Sequence, residues 1–170
     1  MIQDPPAVPA PAGIDSGAWG AAIDEIRRYC NWHISPVATE TVRIVAVDGD
    51  LVAPTLRLVA VESVTVRGAG PVALDSLTMQ GNVITLPYPI TGTATVAITH
   101  GYVQLPPALA DAAKALVAAR VAAAASPGVA ALGSGPHTIS RSQSAQAGYA
   151  GLPREITATL DRYWMPSCPA

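Results

Sequence analysis

Phenylalanine is absent, lysine occurs once, at Lys114, and the only cysteines are Cys30 and Cys168, near opposite ends of the 170 residues. Each shortage excludes a class of function. Ten Lys and Arg against twelve Asp and Glu leave a net charge of −2. A nucleic-acid clamp needs clustered cations to displace counterions from phosphates, so a DNA-reading role is disfavoured. Two distant cysteines are too few for the disulfide framework of a small secreted domain, and a reduced, cytosolic setting is expected. The longest apolar run, 115–126, is broken by Arg120 and preceded by Asp111 and Lys114. A membrane-spanning helix needs ~20 apolar residues, so no membrane association is expected. The start carries prolines at 5, 6, 9 and 11 without a basic region or a long apolar stretch, and reads as an extended arm over 1–15, not a signal peptide.

What is abundant is Ala, Val and Leu, in a chain of single-core size. From Ser16 to Trp32, Trp19, Ile23, Ile26 and Cys30 recur at steps of three and four, the stripe of an amphipathic helix. Asp15 or Ser16 can cap its free N–H groups, Arg27 and Arg28 suit its C-terminal end, and Ser35-Pro36 stops it. Over 39–103 the period changes to two in TVRIVAV, TLRLVAV, SVTVRG, NVITLP and ATVAITHGY. Gly49, Gly70, Gly81 and Gly92 punctuate these runs, predicting an antiparallel meander or small sandwich. Pro106-Pro107 opens an Ala-rich helix over 107–125 with almost no bulky side chain on any face, ended by Pro127-Gly128. A polar, Gly-rich loop over 130–151, with one strand candidate at HTIS, leads to a last helix over 153–164 and a tail at 167–170. The predicted fold class is α+β: about three helices forming a small core, with an antiparallel β-rich module inserted between the first two.

Constellations that carry chemistry do not assemble in this sequence. Gly133-Ser134-Gly135 lacks the strand–turn–helix context of a nucleophile elbow, and Pro136 follows at once. Cys30 and His33 have C-x-x-H spacing but no second pair, which favours a packed cysteine over a zinc ligand. His33, His100 and His137 stand in three unrelated contexts. Asp48-Gly49-Asp50 lacks the later acidic positions of a calcium loop and reads as a hairpin turn. Asp24 and Glu25 are adjacent on a helix and point in different directions, so they cannot work as an acid–base pair. No catalytic, cofactor-binding or metal-binding residue is predicted, and no cofactor.

The ordered pieces nonetheless form a recognisable series. Tyr29 to Pro36 (YCNWHISP), Thr55 to Leu58 (TLRL), Ile98 to Tyr102 (ITHGY) and Leu160 to Tyr163 (LDRY), with the Ala-rich helix between the last two, carry it. In this order and spacing, over about 16–166, the chain resembles the head-to-tail adaptor (head completion, or connector) proteins of long-tailed bacteriophages, particularly those of actinobacteria. The resemblance implies a non-enzymatic virion protein that forms a homo-oligomeric ring, commonly of twelve, assembled in the host cytoplasm. The ring would sit in the neck between the portal protein and the next neck protein, a stopper or a tail terminator, with genomic DNA passing through its centre. Other neck or tail components, and a small β-rich enzyme, are the alternative readings.

Four expectations about particular residues follow. Ala119 and Ala122 are placed at the subunit interface, because small side chains allow close approach. Tyr163, Trp164 and Met165 are placed in a portal-binding element, since three consecutive large residues cannot all face one core. The loop over 132–148 is expected to be mobile in the free subunit and ordered in the neck. Trp32 and Ile34 are expected to cap the core where helix passes to strand, and Gly101 to let the last strand turn.

Overall fold

The computed structural model describes residues 6–125, the backbone of 132–134 and 137–139, and residues 152–166. Helix α1 spans Ser16–Cys30, and the Asp15 carboxylate accepts a hydrogen bond from the Ala18 N–H at 2.8 Å. It stops two residues short of the predicted Trp32, because Asn31 turns left-handed (φ 63°) and its N–H closes on the Arg27 carbonyl. Asparagine tolerates that conformation better than most side chains. All four residues of the predicted stripe, Trp19, Ile23, Ile26 and Cys30, are buried.

Helix α2 runs Pro107–Ala125, as its flanking prolines predict. Its buried residues, Leu109, Ala112, Ala113 and Leu116, all lie in its first ten positions. The last helix is shorter than the predicted 153–164: α3 covers Arg154–Leu160, and the chain then tightens into a 3₁₀ turn over Asp161–Tyr163. The three helices bury one core that includes Trp19, Ile26, Leu109, Leu116, Leu160 and Met165. Val8 and Ala10 of the proline-rich arm pack onto that core as well, so the arm is at least partly docked.

Between α1 and α2 lies a seven-stranded antiparallel sheet: β1 Ala38–Val47, β2 Asp50–Val52, β3 Leu58–Val66, β4 Gly70–Val72, β5 Thr78–Gln80, β6 Val83–Thr85 and β7 Gly92–His100. Their spatial order is β4-β3-β7-β1-β2-β6-β5. The fold is α+β. The first and last long strands pair along their whole length, from Ala38 opposite His100 to Ala46 opposite Gly92. Entry and exit of the module therefore stand side by side, which is what lets a β-unit be inserted between two helices without separating them.

Two of the predicted runs, TLRLVAV and SVTVRG, turn out to contribute to one strand. Register shifts between Leu58 and Ala60 and between Val61 and Ser63 reset which side chains face inward. Such bulges bend a strand and break its two-residue period. The sheet curls on itself, and the 3₁₀ turn Leu74–Ser76 links the two edge strands β4 and β5. Its inner face forms a second core containing Ile44, Leu51, Val64, Ile84, Val96 and Ile98, with no aromatic member. A further hairpin pairs β8 Leu132–Ser134 with β9 His137–Ile139, the first three residues of the predicted HTIS strand.

Candidate functional site

The residues singled out in the sequence fall into two exposed places and one buried place. At the C-terminal end, Met165 is buried, Tyr163 is half-buried and Trp164 is 51% exposed. Main-chain bonds fix this arrangement. The Met165 N–H donates to the Cys30 carbonyl at 2.9 Å, and the Trp32 indole N–H donates to the Tyr163 carbonyl at 2.7 Å. The segment is thereby tied to the end of α1, its backbone held on both sides of Trp164 while the indole points outward. Met165, expected in the same surface element, is instead a core residue.

Ala119 and Ala122 lie on the second half of α2, where every residue from Ala118 to Ala125 is exposed and Val121 is 62% exposed. An ion pair from Arg120 to Glu25 fastens that half to α1. The helix thus leaves its own core after Val117 and projects a surface of methyl and isopropyl groups.

The buried place lies between the two cores. Gly101, with φ +106°, turns the chain out of β7, and a side chain there would come within 3.1 Å of the Pro36 carbonyl and 3.2 Å of the Ile34 carbonyl. The next residue, Tyr102, donates its N–H to the Ile34 carbonyl at 2.7 Å. This turn packs the end of β7 onto the linker after α1, with Trp32 and Ile34 buried as expected. It also corrects the reading of the histidines as unrelated: the rings of His33 and His100 meet edge to face with centroids 5.6 Å apart. His100 is 1% exposed. Its Nε2 stands 3.0 Å from a Glu40 oxygen, but off the line of the ring N–H, so neither ring nitrogen has an aligned hydrogen-bond partner. The His33 Nε2 lies against the Pro36 carbonyl, and the Arg27 guanidinium donates to the Ser35 carbonyl and, at 3.1 Å, to that of Pro6.

The charges in this junction are tuned by burial and by each other. Contact with His100 holds the Glu40 carboxyl below the usual range against the opposing effect of burial. Burial lowers the basicity of His33, with Arg27 and His100 adding to the effect, and burial likewise lowers that of Arg27. Nearby, the Tyr29 hydroxyl donates to Asp161 at 2.5 Å, and that bond raises its pKa to about 12. The Cys30 thiol is pushed up to about 12 by burial, which leaves it protonated and unreactive.

Chemistry-bearing groups elsewhere stay apart. Among the described residues no three His, Cys, Asp or Glu side chains converge as metal ligands, and no helix is long and apolar enough to cross a membrane. Asp48-Gly49 forms the turn between β1 and β2. Asp24 pairs with Arg27, whereas Glu25 pairs with Arg120. The side chains of Ser134 and His137, and most of the 130–151 loop, lie outside the described residues. Sequence reading missed one surface feature: Arg43, Thr65, Arg67, Thr93 and Thr95 line a concavity of about 630 Å³ on the outer face of the sheet. Its only signal was the alternation of Arg and Thr with apolar residues in TVRIVAV, SVTVRG and ATVAITH.

No family model matches the chain, and no curated protein is significantly similar in sequence. Among solved structures it is similar to a chain from the neck of an empty GTA (gene transfer agent) particle, computed with C6 symmetry. The TM-score is 0.52 at 19% identity, over 95% of this chain and 84% of that one. At that identity the likeness is one of fold.

Proposed function

We propose that this chain is a structural subunit of the neck of a phage-like particle, and specifically a head-to-tail adaptor with no catalytic role. The observation that carries the reading is the likeness of fold to a neck chain over nearly the whole length. The exposed second half of α2 and the exposed Trp164 support it, since both are surfaces that an isolated subunit leaves uncovered. In this reading the copies form a closed ring, sixfold or twelvefold, around the channel through which DNA passes. The ring lies between the portal protein and a stopper or tail terminator in the virion neck, and it assembles in the host cytoplasm. A mildly acidic subunit suits a channel that must let DNA slide.

Trp164 is the portal anchor in this reading, with Tyr163 beside it and Met165 holding the segment down. Aromatic residues are frequent interface anchors, and burial of one is worth ~2 kcal/mol or more. The test is Trp164→Ala, assayed by co-sedimentation of the purified chain with its portal. Binding is expected to weaken at least tenfold while thermal stability changes by less than about 0.5 kcal/mol, because the side chain is already half in water. Unchanged portal binding removes Trp164 from the contact. A chain that never binds the portal but binds another neck ring is a stopper or tail terminator instead.

The projecting half of α2 is the corresponding surface between copies. Ala119→Trp or Ala122→Trp is expected to leave a soluble, folded subunit that no longer forms rings in electron micrographs of the portal complex. Normal rings from both variants would refute that placement.

A further inference from the structure

The concavity on the outer face of the sheet has a composition that asks for negatively charged oxygen. Arg43 projects from β1, and Arg67 follows the end of β3. Strand β7 runs between them, with Thr95 opposite both Arg43 and Thr65, and with the Thr93 carbonyl accepting the Arg67 N–H. Two strand spacings, roughly 10 Å, separate the two backbones, a gap that long arginine side chains can close from either side. No carboxylate lines the concavity. Neither guanidinium has an ion-pair or hydrogen-bond partner among the described residues. An arginine pair over threonine hydroxyls is two cations and a set of donors without an anionic acceptor.

The same molecule carries a matching set of acceptors at the tip of the β1–β2 hairpin. Asp48, Gly49 and Asp50 turn there, and both carboxylates are exposed. The tip is held rigidly: the Gly49 N–H donates to the Ile90 carbonyl at 3.0 Å, and the Leu86 N–H donates to the Gly49 carbonyl at 2.8 Å. A Cβ on Gly49 would come within 2.9 Å of the Tyr88 carbonyl. Asp50 accepts one bond, from the Thr85 hydroxyl, and Asp48 has none among the described residues. The tip cannot reach its own concavity, since five residue steps along the strand, roughly 17 Å, separate Asp48 from Arg43.

We propose that the Arg43–Arg67 concavity receives the Asp48-Gly49-Asp50 tip of a second copy of this chain, each guanidinium pairing with a carboxylate across the contact. The proposal rests on the ring reading and deepens it by naming a contact between neighbours. One copy gives its tip and the other its concavity, so the contact is heterologous, the kind that generates a ring when the rotation closes. Exposed apolar side chains flank both halves, Val45 beside Arg43 and Val47 and Tyr88 beside the tip. Their burial would dry the ion pairs, which exposed on a surface contribute little. A nucleic-acid backbone is the weaker occupant, because two arginines form no track of positive charge and the chain is net acidic.

The test uses the full chain in two charge-reversed forms, Arg43→Glu with Arg67→Glu and Asp48→Arg with Asp50→Arg, and a third that combines all four changes. All four residues are exposed, so circular dichroism should show the sheet intact in each. Self-association is read by sedimentation equilibrium at low salt up to millimolar concentration, and by ring formation on the portal. Each double variant should associate at least tenfold more weakly than the native chain, and the fourfold variant should regain most of the loss. Association that ignores either reversal, or that is not restored in the fourfold variant, overturns the contact and leaves the ring reading standing. Duplex DNA binding that depends on Arg43 and Arg67, with association between copies unaffected by their reversal, overturns it in favour of phosphate. A chain that neither associates nor joins a portal overturns both readings.

Discussion

The two cores of this molecule are built on opposite principles. The sheet core draws all its residues from one continuous stretch, 42–98, and packs only aliphatic side chains between strands. The helical core draws on three separated stretches, from Val8 in the arm to Met165 in the C-terminal segment, and includes the two buried tryptophans, Trp19 and Trp32. In the sheet, a ladder of neighbouring strands fixes the register. In the helical part, bonds between distant side chains and main chain do the work, such as Trp32 to Tyr163 and Asn31 to Met165. The contrast predicts that the β-module is the more self-sufficient unit, with the helical part cohering only when its scattered pieces are all present.

The sharpest way to break this comparison is to damage one core and watch the other. Ile26, in α1, and Ile98, in β7, are both fully buried. Ile26→Ala should cost about 3–4 kcal/mol through lost burial and the cavity left behind. Hydrogen exchange should then show α1 and α2 losing protection while β1 and β7 keep theirs. Ile98→Ala, at a similar cost, should weaken the sheet and, through the paired ends at Ala38 and His100, the helices too. Identical exchange patterns in the two variants would show a single cooperative unit.

Removing residues 161–170 should have the next largest effect. It deletes the buried Met165 side chain and the acceptors of Trp32 and Asn31, a loss of about 3 kcal/mol from burial and hydrogen bonding together. That loss should fall on the helical core, leaving the sheet amides protected. For the same reason such a truncation cannot test portal binding cleanly, and a point change at Trp164 is needed.

The smallest effect concerns acid. Burial sets the His33 pKa in the folded protein below its unfolded value of 6.5, so the unfolded chain binds more protons in the interval between the two. Stability should therefore be full above pH 6.5 and decline as pH falls through the folded value. Glu40, held below 4.5 by His100, adds stability that is present above 4.5 and lost as pH falls through its own folded value. Arg27, His100 and Glu40 are the charged or titratable groups facing His33. In thermal melts from pH 7.5 to 5, His33→Gln should flatten the slope between 6.5 and 5. An unchanged slope would place the acid sensitivity elsewhere.

Local pattern made much of this architecture legible. The stripe of Trp19, Ile23, Ile26 and Cys30 gave α1, and the flanking prolines gave the bounds of α2. Consecutive Tyr163, Trp164 and Met165 implied that one of them must face outward, and it is Trp164. Features that depend on register or on distant contact were not legible. The shifts at Leu58–Ala60 and Val61–Ser63 hid a single strand behind two apparent ones. The meeting of His33 with His100 depends on how β7 turns at Gly101, and the facing of Arg43 and Arg67 depends on β7 lying between their strands. Neither can be inferred from spacing along the chain, because antiparallel pairing makes neighbours of residues far apart in sequence.

The bond between the Met165 N–H and the Cys30 carbonyl has a consequence for biosynthesis. A chain emerges from the ribosome N-terminus first, and domains generally fold as units during synthesis. By the time His100 has cleared the exit tunnel, every strand of the seven-stranded sheet is available and can pair. Helix α1, made before any of them, completes its buried face only when α2 and then the segment around Met165 have followed the sheet. The helical core is thus finished after the sheet, and a nascent chain displays a paired sheet before it displays a closed helical surface.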